Sequence, residues 1–136
     1  MIGFQLSDRD RLRLDGVHPD LVAVVEAAAK RYDGKFMVVE GLRTPERQRE
    51  LVAKGASQTL NGLHLRQADG WGHAVDLAPL VGGAIPWEEK DQFRRLADLM
   101  KACAGELSTP IEWGGDFRSF YDGPHFQLPR GWRGNV

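Results

Sequence analysis

The sequence predicts one domain of the α+β class, in which a small, mainly antiparallel sheet of three or four short strands packs against two or three helices. The chain has 136 residues, enough for a single domain, residues 1–136, to bury a core without disulfides. Segments with helical apolar spacing and segments with strand alternation follow one another along it, and the strand segments are short.

Composition excludes several classes of protein. The net charge of −1 gives no overall field that would draw the chain to nucleic acid or to an anionic membrane. A single cysteine excludes a disulfide framework and a thiolate-rich zinc site. No apolar run approaches the ~20 residues of a membrane span, and the N-terminus has no signal-peptide pattern. We therefore expect a monomer made in a cytoplasm, with no stable membrane association.

The first part of the chain predicts two helices and a strand. One helix begins after Ser7 and ends before Gly16, and a stronger one runs from Pro19 to Gly34, with His18 as a structural residue in front of it. Lys35–Glu40 then predicts a strand. Its interior is apolar on both faces, so we expect a central, covered position in the sheet.

A helix Pro45–Lys54 is predicted next, with Thr44 as its N-cap. Arg43 lies where the strand becomes this helix, a position often turned toward a functional site. The alternative is a surface arginine that pairs with Glu46 or Glu50.

Residues 56–72 form a loop long enough to be functional or disordered. A short strand, His73–Pro79, follows it. Asp76 shares one face of this strand with Ala74 and Ala78, and the small neighbours leave space above the carboxylate. The strand is therefore a candidate wall of a site.

The last part of the chain predicts an amphipathic helix from Trp87 to about Ala104, which includes the buried Cys103. A short strand, Ile111–Trp113, comes after it. The tail Pro129–Val136 is predicted to be loop.

The segment Asp122-Gly123-Pro124-His125 predicts a turn that leads into a strand. Alternation puts His125 and Gln127 on one face, and the turn brings Asp122 back beside His125. A carboxylate next to a metal-bound imidazole is suited to act as a general base. Taken alone, the segment favours a plain hairpin turn with a surface histidine.

Three residues together could hold a zinc ion: His64, Asp76 and His125. Two imidazoles and a carboxylate, with one position left for water, form a catalytic site. The sequence has no His-Glu-x-x-His helix, so the common metalloprotease pattern does not apply.

Four short motifs resemble those of one family, in the same order along the chain. They are Gly41–Thr44, Gly72–Pro79, Trp113–Phe117 and Asp122–His125. The pattern Ser-x-His-x-x-Gly-x-Ala-x-Asp followed by Asp/Glu-x-x-His is similar to the zinc peptidases that cut peptidoglycan stem peptides. This clan includes D-alanyl-D-alanine peptidases and phage endolysins that are L-alanyl-D-glutamate peptidases, and the chain most resembles the endolysins.

One departure from the family pattern concerns the first histidine. The family histidine lies seven residues before the aspartate, and Asp69 occupies that position here. His64 resembles the family histidine in its local context, Asn61–Leu65, with about five inserted residues after it. His73 competes as a ligand, but in a regular strand it points away from Asp76.

The resemblance implies a Hedgehog/D,D-peptidase-like fold and three zinc ligands, namely His64, Asp76 and His125. It implies that Asp122 deprotonates the attacking water and returns the proton to the leaving amine. Arg43 would supply positive charge to the substrate carbonyl or the oxyanion. Trp113 and Asp116 would shape the cleft.

The resemblance also implies a function. We expect a zinc endopeptidase that cleaves the L-alanyl-D-glutamate bond of peptidoglycan, acting as an endolysin that reaches the wall through a holin pore. One alternative is a D-alanyl-D-alanine carboxypeptidase or dipeptidase. Another is a non-catalytic wall-binding module with a structural zinc, although such a module needs neither Asp122 nor Arg43.

Overall fold

The structure is a computed structural model that describes residues 2–55, 62–118 and 120–133. Four α-helices and four strands occur in these residues. The helices are α1 (Asp8–Leu14), α2 (Pro19–Ala29), α3 (Pro45–Ala53) and α4 (Lys90–Glu106). The strands are β1 (Lys35–Glu40), β2 (Ala74–Leu80), β3 (Glu112–Trp113) and β4 (His125–Gln127). The predicted α+β class with a small antiparallel sheet is confirmed.

The strands form one antiparallel sheet in the order β1-β2-β4-β3. Its register places Glu40 opposite Asp76, and Asp76 opposite His125. Directly opposite residues of antiparallel strands point to the same face. The sheet therefore aligns two carboxylates and an imidazole across three neighbouring strands.

The expected central position of β1 is wrong, because β1 is an edge strand. Helix α1 covers this edge with two side chains. The Asp10 carboxylate accepts a hydrogen bond from the Val38 N–H at 2.9 Å, and the Arg13 guanidinium donates to the Val38 carbonyl at 2.8 Å. An edge whose polar groups are satisfied in this way can carry apolar residues on both faces.

The core lies between the sheet and the packed pair α2 and α4. Its largest fully buried side chains include Phe36, Leu77, Leu96, Trp113 and Phe126. Cys103 is buried in it, as predicted. No helix in the described part of the chain is both long and apolar enough to cross a membrane.

Two helices differ in extent from the prediction. Helix α2 ends at Ala29 rather than Gly34. The N-terminal segment takes up carbonyls at this end: the Phe4 N–H donates to the Ala29 carbonyl, and the Gly3 N–H donates to the Tyr32 carbonyl. Helix α4 begins at Lys90 rather than Trp87, since the preceding residues form turns. In the long loop, residues 56–61, which include Asn61, lie outside the described residues.

Candidate functional site

Three elements bring His64, Asp76 and His125 together. Asp76 on β2 lies opposite His125 on β4 in the sheet register. His64 comes from the loop after α3, and two backbone hydrogen bonds hold this loop. The Arg43 N–H donates to the His64 carbonyl at 2.8 Å, and the His73 N–H donates to the Leu63 carbonyl at 2.7 Å.

The donor atoms of these three residues converge on one point. His64 Nε2 lies 3.2 Å from Asp76 Oδ1 and 3.2 Å from His125 Nδ1, and His125 Nδ1 lies 3.4 Å from Asp76 Oδ1. Metal–ligand bonds of 2.0–2.1 Å at tetrahedral angles require separations of about 3.3–3.4 Å. The three atoms therefore have the spacing of one face of a zinc tetrahedron.

Hydrogen bonds behind the rings fix which nitrogens carry protons. His64 Nδ1 donates to the Gly41 carbonyl at 2.9 Å, and His125 Nε2 donates to Gln127 Oε1 at 2.7 Å. Gln127 presents its oxygen because its amide nitrogen donates to Glu112 Oε1 at 2.8 Å. When each ring carries a single proton, the nitrogens that face Asp76, His64 Nε2 and His125 Nδ1, each offer a lone pair. With the Asp76 carboxylate they form a set of donor atoms that a metal cation can bind.

Burial alone would raise the pKa of Asp76, but the contacts with His125 and His64 hold that pKa well below its usual range. Burial would lower the pKa of His125, and the hydrogen bond and charge of Asp76 raise it instead. The residues therefore provide an ionised carboxylate at the point where the imidazole nitrogens meet.

Asp122 lies at the edge of this group, with its Oδ2 4.0 Å from His125 Nδ1. Burial, followed by the negative charge of Asp76, raises the pKa of Asp122. Its backbone N–H donates to the Gly114 carbonyl at 3.0 Å. The turn thus places the Asp122 carboxylate beside the triad of His64, Asp76 and His125, as the turn pattern predicted. The carboxylate is not one of the three converging donors.

Arg43 is mostly buried and points into the site. It binds both carboxylate oxygens of Glu40, at 2.9 and 2.8 Å, and donates to Gln48 Oε1 at 2.7 Å. Its Nη2 lies 3.9 Å from Asp76 Oδ2. The alternative of a surface arginine paired with Glu46 or Glu50 is therefore wrong.

His73 and Asp69, the competing ligands, lie in a second group with His18. Asp69 Oδ2 accepts a hydrogen bond from His73 Nε2 at 2.7 Å, and Asp69 Oδ1 accepts one from the Trp71 N–H at 3.0 Å. His18 Nδ1 accepts from the Asp20 N–H at 3.0 Å, which leaves the ring proton on Nε2, 3.7 Å from Asp69. Hydrogen bonds connect the members of this second group, and it lies beside the start of α2 and the start of β2.

The triad opens into a cleft of about 560 Å³. Among the residues that line it are Arg43, Asp122, Phe117, Phe120, Tyr121 and Arg130. Trp113 and Asp116 do not line it. Trp113 is buried in the core, with its indole N–H bound to the Gly123 carbonyl at 2.7 Å, and Asp116 pairs with Lys101 at 2.7 Å.

Sequence reasoning missed the residues behind the triad. Gln127 lies two residues after His125 on the same strand face, so the alternation itself carried a signal for it. Glu40 is the last residue of β1 and lies three residues before Arg43, so its position near Arg43 also had a signal in the sequence. The role of the Gly41 carbonyl had no signal in the sequence, since it depends on how the loop carrying His64 folds back.

The chain has clear relatives. It matches the phage L-alanyl-D-glutamate peptidase family over residues 2–128. It is 25% identical over 138 residues to the L-alanyl-D-glutamate peptidase of Escherichia phage T5, covering 93% of this chain and 99% of that protein. It is 33% identical over 94 residues to the L-alanyl-D-glutamate peptidase of Listeria phage A118, covering 69% of this chain and 30% of that one.

A solved structure shares the fold. The crystal structure of Serratia marcescens L-Ala D-Glu endopeptidase ChiX superposes with a TM-score of 0.79 at 42% identity, covering 92% of this chain and 90% of that one. Fold and sequence together define a peptidase. The chain belongs to the phage L-alanyl-D-glutamate peptidase family.

Proposed function

We propose that this chain is a zinc-dependent endopeptidase that cleaves the bond between L-alanine and D-glutamate in peptidoglycan stem peptides. The observation that carries the proposal is the convergence of three lone-pair donors, His64 Nε2, Asp76 Oδ1 and His125 Nδ1, at 3.2–3.4 Å from one another. The choice of scissile bond rests on membership of the phage L-alanyl-D-glutamate peptidase family.

The residues suit zinc in number, chemistry and spacing. Two imidazoles and a carboxylate are a common protein ligand set for catalytic zinc, and they leave a fourth position open. The acceptors Gly41 and Gln127 orient the two rings, which is the usual arrangement behind metal-bound histidines. When bound, zinc acts as a Lewis acid that polarises a carbonyl and makes water acidic near neutral pH.

Asp122 moves the proton in this proposal. Its carboxylate accepts a proton from the attacking water and later returns it to the nitrogen of the leaving D-glutamyl residue, so that the amide C–N bond breaks and one water is consumed. Its raised pKa lies in the direction that a base working near neutral pH requires.

Arg43 places positive charge beside the reacting carbonyl. Glu40 and Gln48 hold its guanidinium plane, so the charge is already oriented when substrate arrives. A preorganised cation stabilises a developing oxyanion more than a mobile one does, because no reorganisation is needed in the transition state.

The phage relatives support a proposal for the biological setting. We propose that the chain acts as a monomeric endolysin, reaches the wall through a holin-type pore and takes the stem peptide as its substrate.

Digestion of purified peptidoglycan tests the function. The zinc-loaded protein is expected to produce new N-terminal D-glutamate, identified by mass spectrometry, whereas metal-depleted protein produces none. Release of free D-alanine would establish a carboxypeptidase instead. Binding to peptidoglycan without any new terminus would identify a non-catalytic module.

A further inference from the structure

The cleft contains an uneven set of charges. Three carboxylates line it, those of Glu40, Asp76 and Asp122, against the guanidinium groups of Arg43 and Arg130. Arg43 is already engaged by Glu40. Arg130 is exposed and has no hydrogen bond, ion pair or ring contact with any residue that the structure describes. Arg130 is therefore a cation of the cleft without a partner among the described residues.

Arg130 lies on a turn that is fixed at both ends. The Trp132 N–H donates to the Pro129 carbonyl at 3.1 Å, and Gly131 has a φ of 78°, as the third residue of a type II turn requires. Before the turn, the fully buried Leu128 donates its N–H to the His73 carbonyl at 2.9 Å. After it, the Trp132 indole donates to Asp20 Oδ2 at 2.9 Å. The backbone thus presents Arg130 at the cleft in a defined position.

The proposed substrate carries a group that matches this cation. A D-glutamyl residue has two carboxyl groups, and one amide link to the next residue leaves the other free. This free carboxylate would enter a cleft already lined by carboxylates, where like charges repel. A guanidinium forms paired, charge-assisted hydrogen bonds with a carboxylate and offsets that repulsion.

We propose that Arg130 binds the free carboxylate of the D-glutamyl residue and so selects substrates on the leaving-group side of the scissile bond. This assignment rests on the proposed function. It makes Arg130 a specificity determinant, and it requires the carboxylate rather than its amide.

Two peptides and a matched set of variants test the assignment. The peptides share an L-alanyl-D-glutamyl bond, and in one of them the free D-glutamyl carboxyl is converted to the carboxamide. We expect the wild-type protein to favour the carboxylate peptide by about 10- to 100-fold in kcat/KM, since a hydrogen bond to a charged group has roughly that effect. Arg130→Gln should lose this preference, mainly through KM, because the contact is present before the transition state as well.

Arg9→Gln removes the same charge from α1, away from the cleft, and should keep the wild-type preference. Arg130→Lys should retain part of it. Unchanged zinc content in Arg130→Gln shows that the site is intact. The assignment is overturned if Arg130→Gln slows both peptides equally or neither. If the zinc-loaded wild-type protein cleaves neither peptide, the proposed bond is wrong and the assignment falls with it; cleavage of both at equal rates overturns the assignment alone.

Discussion

Asp122 Oδ2 lies 4.0 Å from His125 Nδ1, outside the three converging donor atoms, and for this reason we propose that Asp122 is a base rather than a ligand. Asp122→Ala should reduce hydrolysis by about 10²- to 10⁴-fold, the usual effect of losing a general base. Zinc content should stay near one per chain, as measured by atomic emission on dialysed protein.

Asp116 offers the matched control for Asp122. It is an acid from the same part of the chain that pairs with Lys101 and does not line the cleft. Asp116→Ala should leave activity within about twofold of wild type. Loss of zinc in Asp122→Ala would show that Asp122 is a ligand.

The proposed role of Arg43 depends on the shape of its guanidinium group as well as on its charge. It contacts both oxygens of Glu40 and the amide oxygen of Gln48 at once, which an ammonium group cannot do. We therefore expect Arg43→Lys to lower kcat by at least about tenfold, measured by release of D-glutamyl termini. Arg47→Lys, an exposed neighbour that also lies near Glu40, should be close to wild type. Equal rates for the two variants would leave Arg43 with no role in the reaction.

The element that carries Asp122 and His125 is held by a close backbone approach. A Cβ at Gly114 would lie 2.2 Å from the Asp122 carbonyl oxygen and 2.9 Å from the Cβ atoms of Asp122 and His125. Only a residue without a side chain lets the two segments meet there. Gly114 therefore positions both the proposed base and one proposed ligand.

Gly114→Ala should accordingly displace this segment and weaken zinc binding together with activity. The control is Gly105→Ala in α4, where a Cβ meets nothing within 4 Å. That change should leave activity intact and stabilise the fold by roughly 0.5–1 kcal/mol, because alanine favours a helix more than glycine does. Zinc titration and thermal unfolding of both variants measure these effects. Normal zinc affinity in Gly114→Ala would contradict the positioning role.

At the scale of the whole molecule, features set by a few neighbouring residues could be predicted, whereas those set by contacts between distant segments could not. Strand alternation put His125 and Gln127 on one face, and the turn residues put Asp122 beside them, because both rules act over a few residues. The edge position of β1 could not be predicted in this way. It depends on sheet order and on the contacts of Asp10 and Arg13 from a distant helix.

The segment that contains His64 and Asp69 shows the same limit of prediction from local sequence. The family spacing placed Asp69 at the ligand position, and the local context of His64 favoured His64. The structure brings His64 to Asp76 and pairs Asp69 with His73, which is the placement that the local context of His64 predicted; its role as a zinc ligand stays a prediction. Arg130 was missed altogether, because a single arginine in a predicted tail has no periodic signal and reaches the cleft only through tertiary folding.

The most direct test of the account is the metal content of His64→Ala, His73→Ala and Asp69→Ala after dialysis against a weak chelator. His64→Ala removes one of three converging donors and should lose zinc. The other two change residues of the separate group around His18, which contributes no donor atom to His64, Asp76 and His125, and they should keep about one zinc per chain. Zinc retained in His64→Ala but lost in His73→Ala or Asp69→Ala would contradict the assignment of the metal centre to His64, Asp76 and His125.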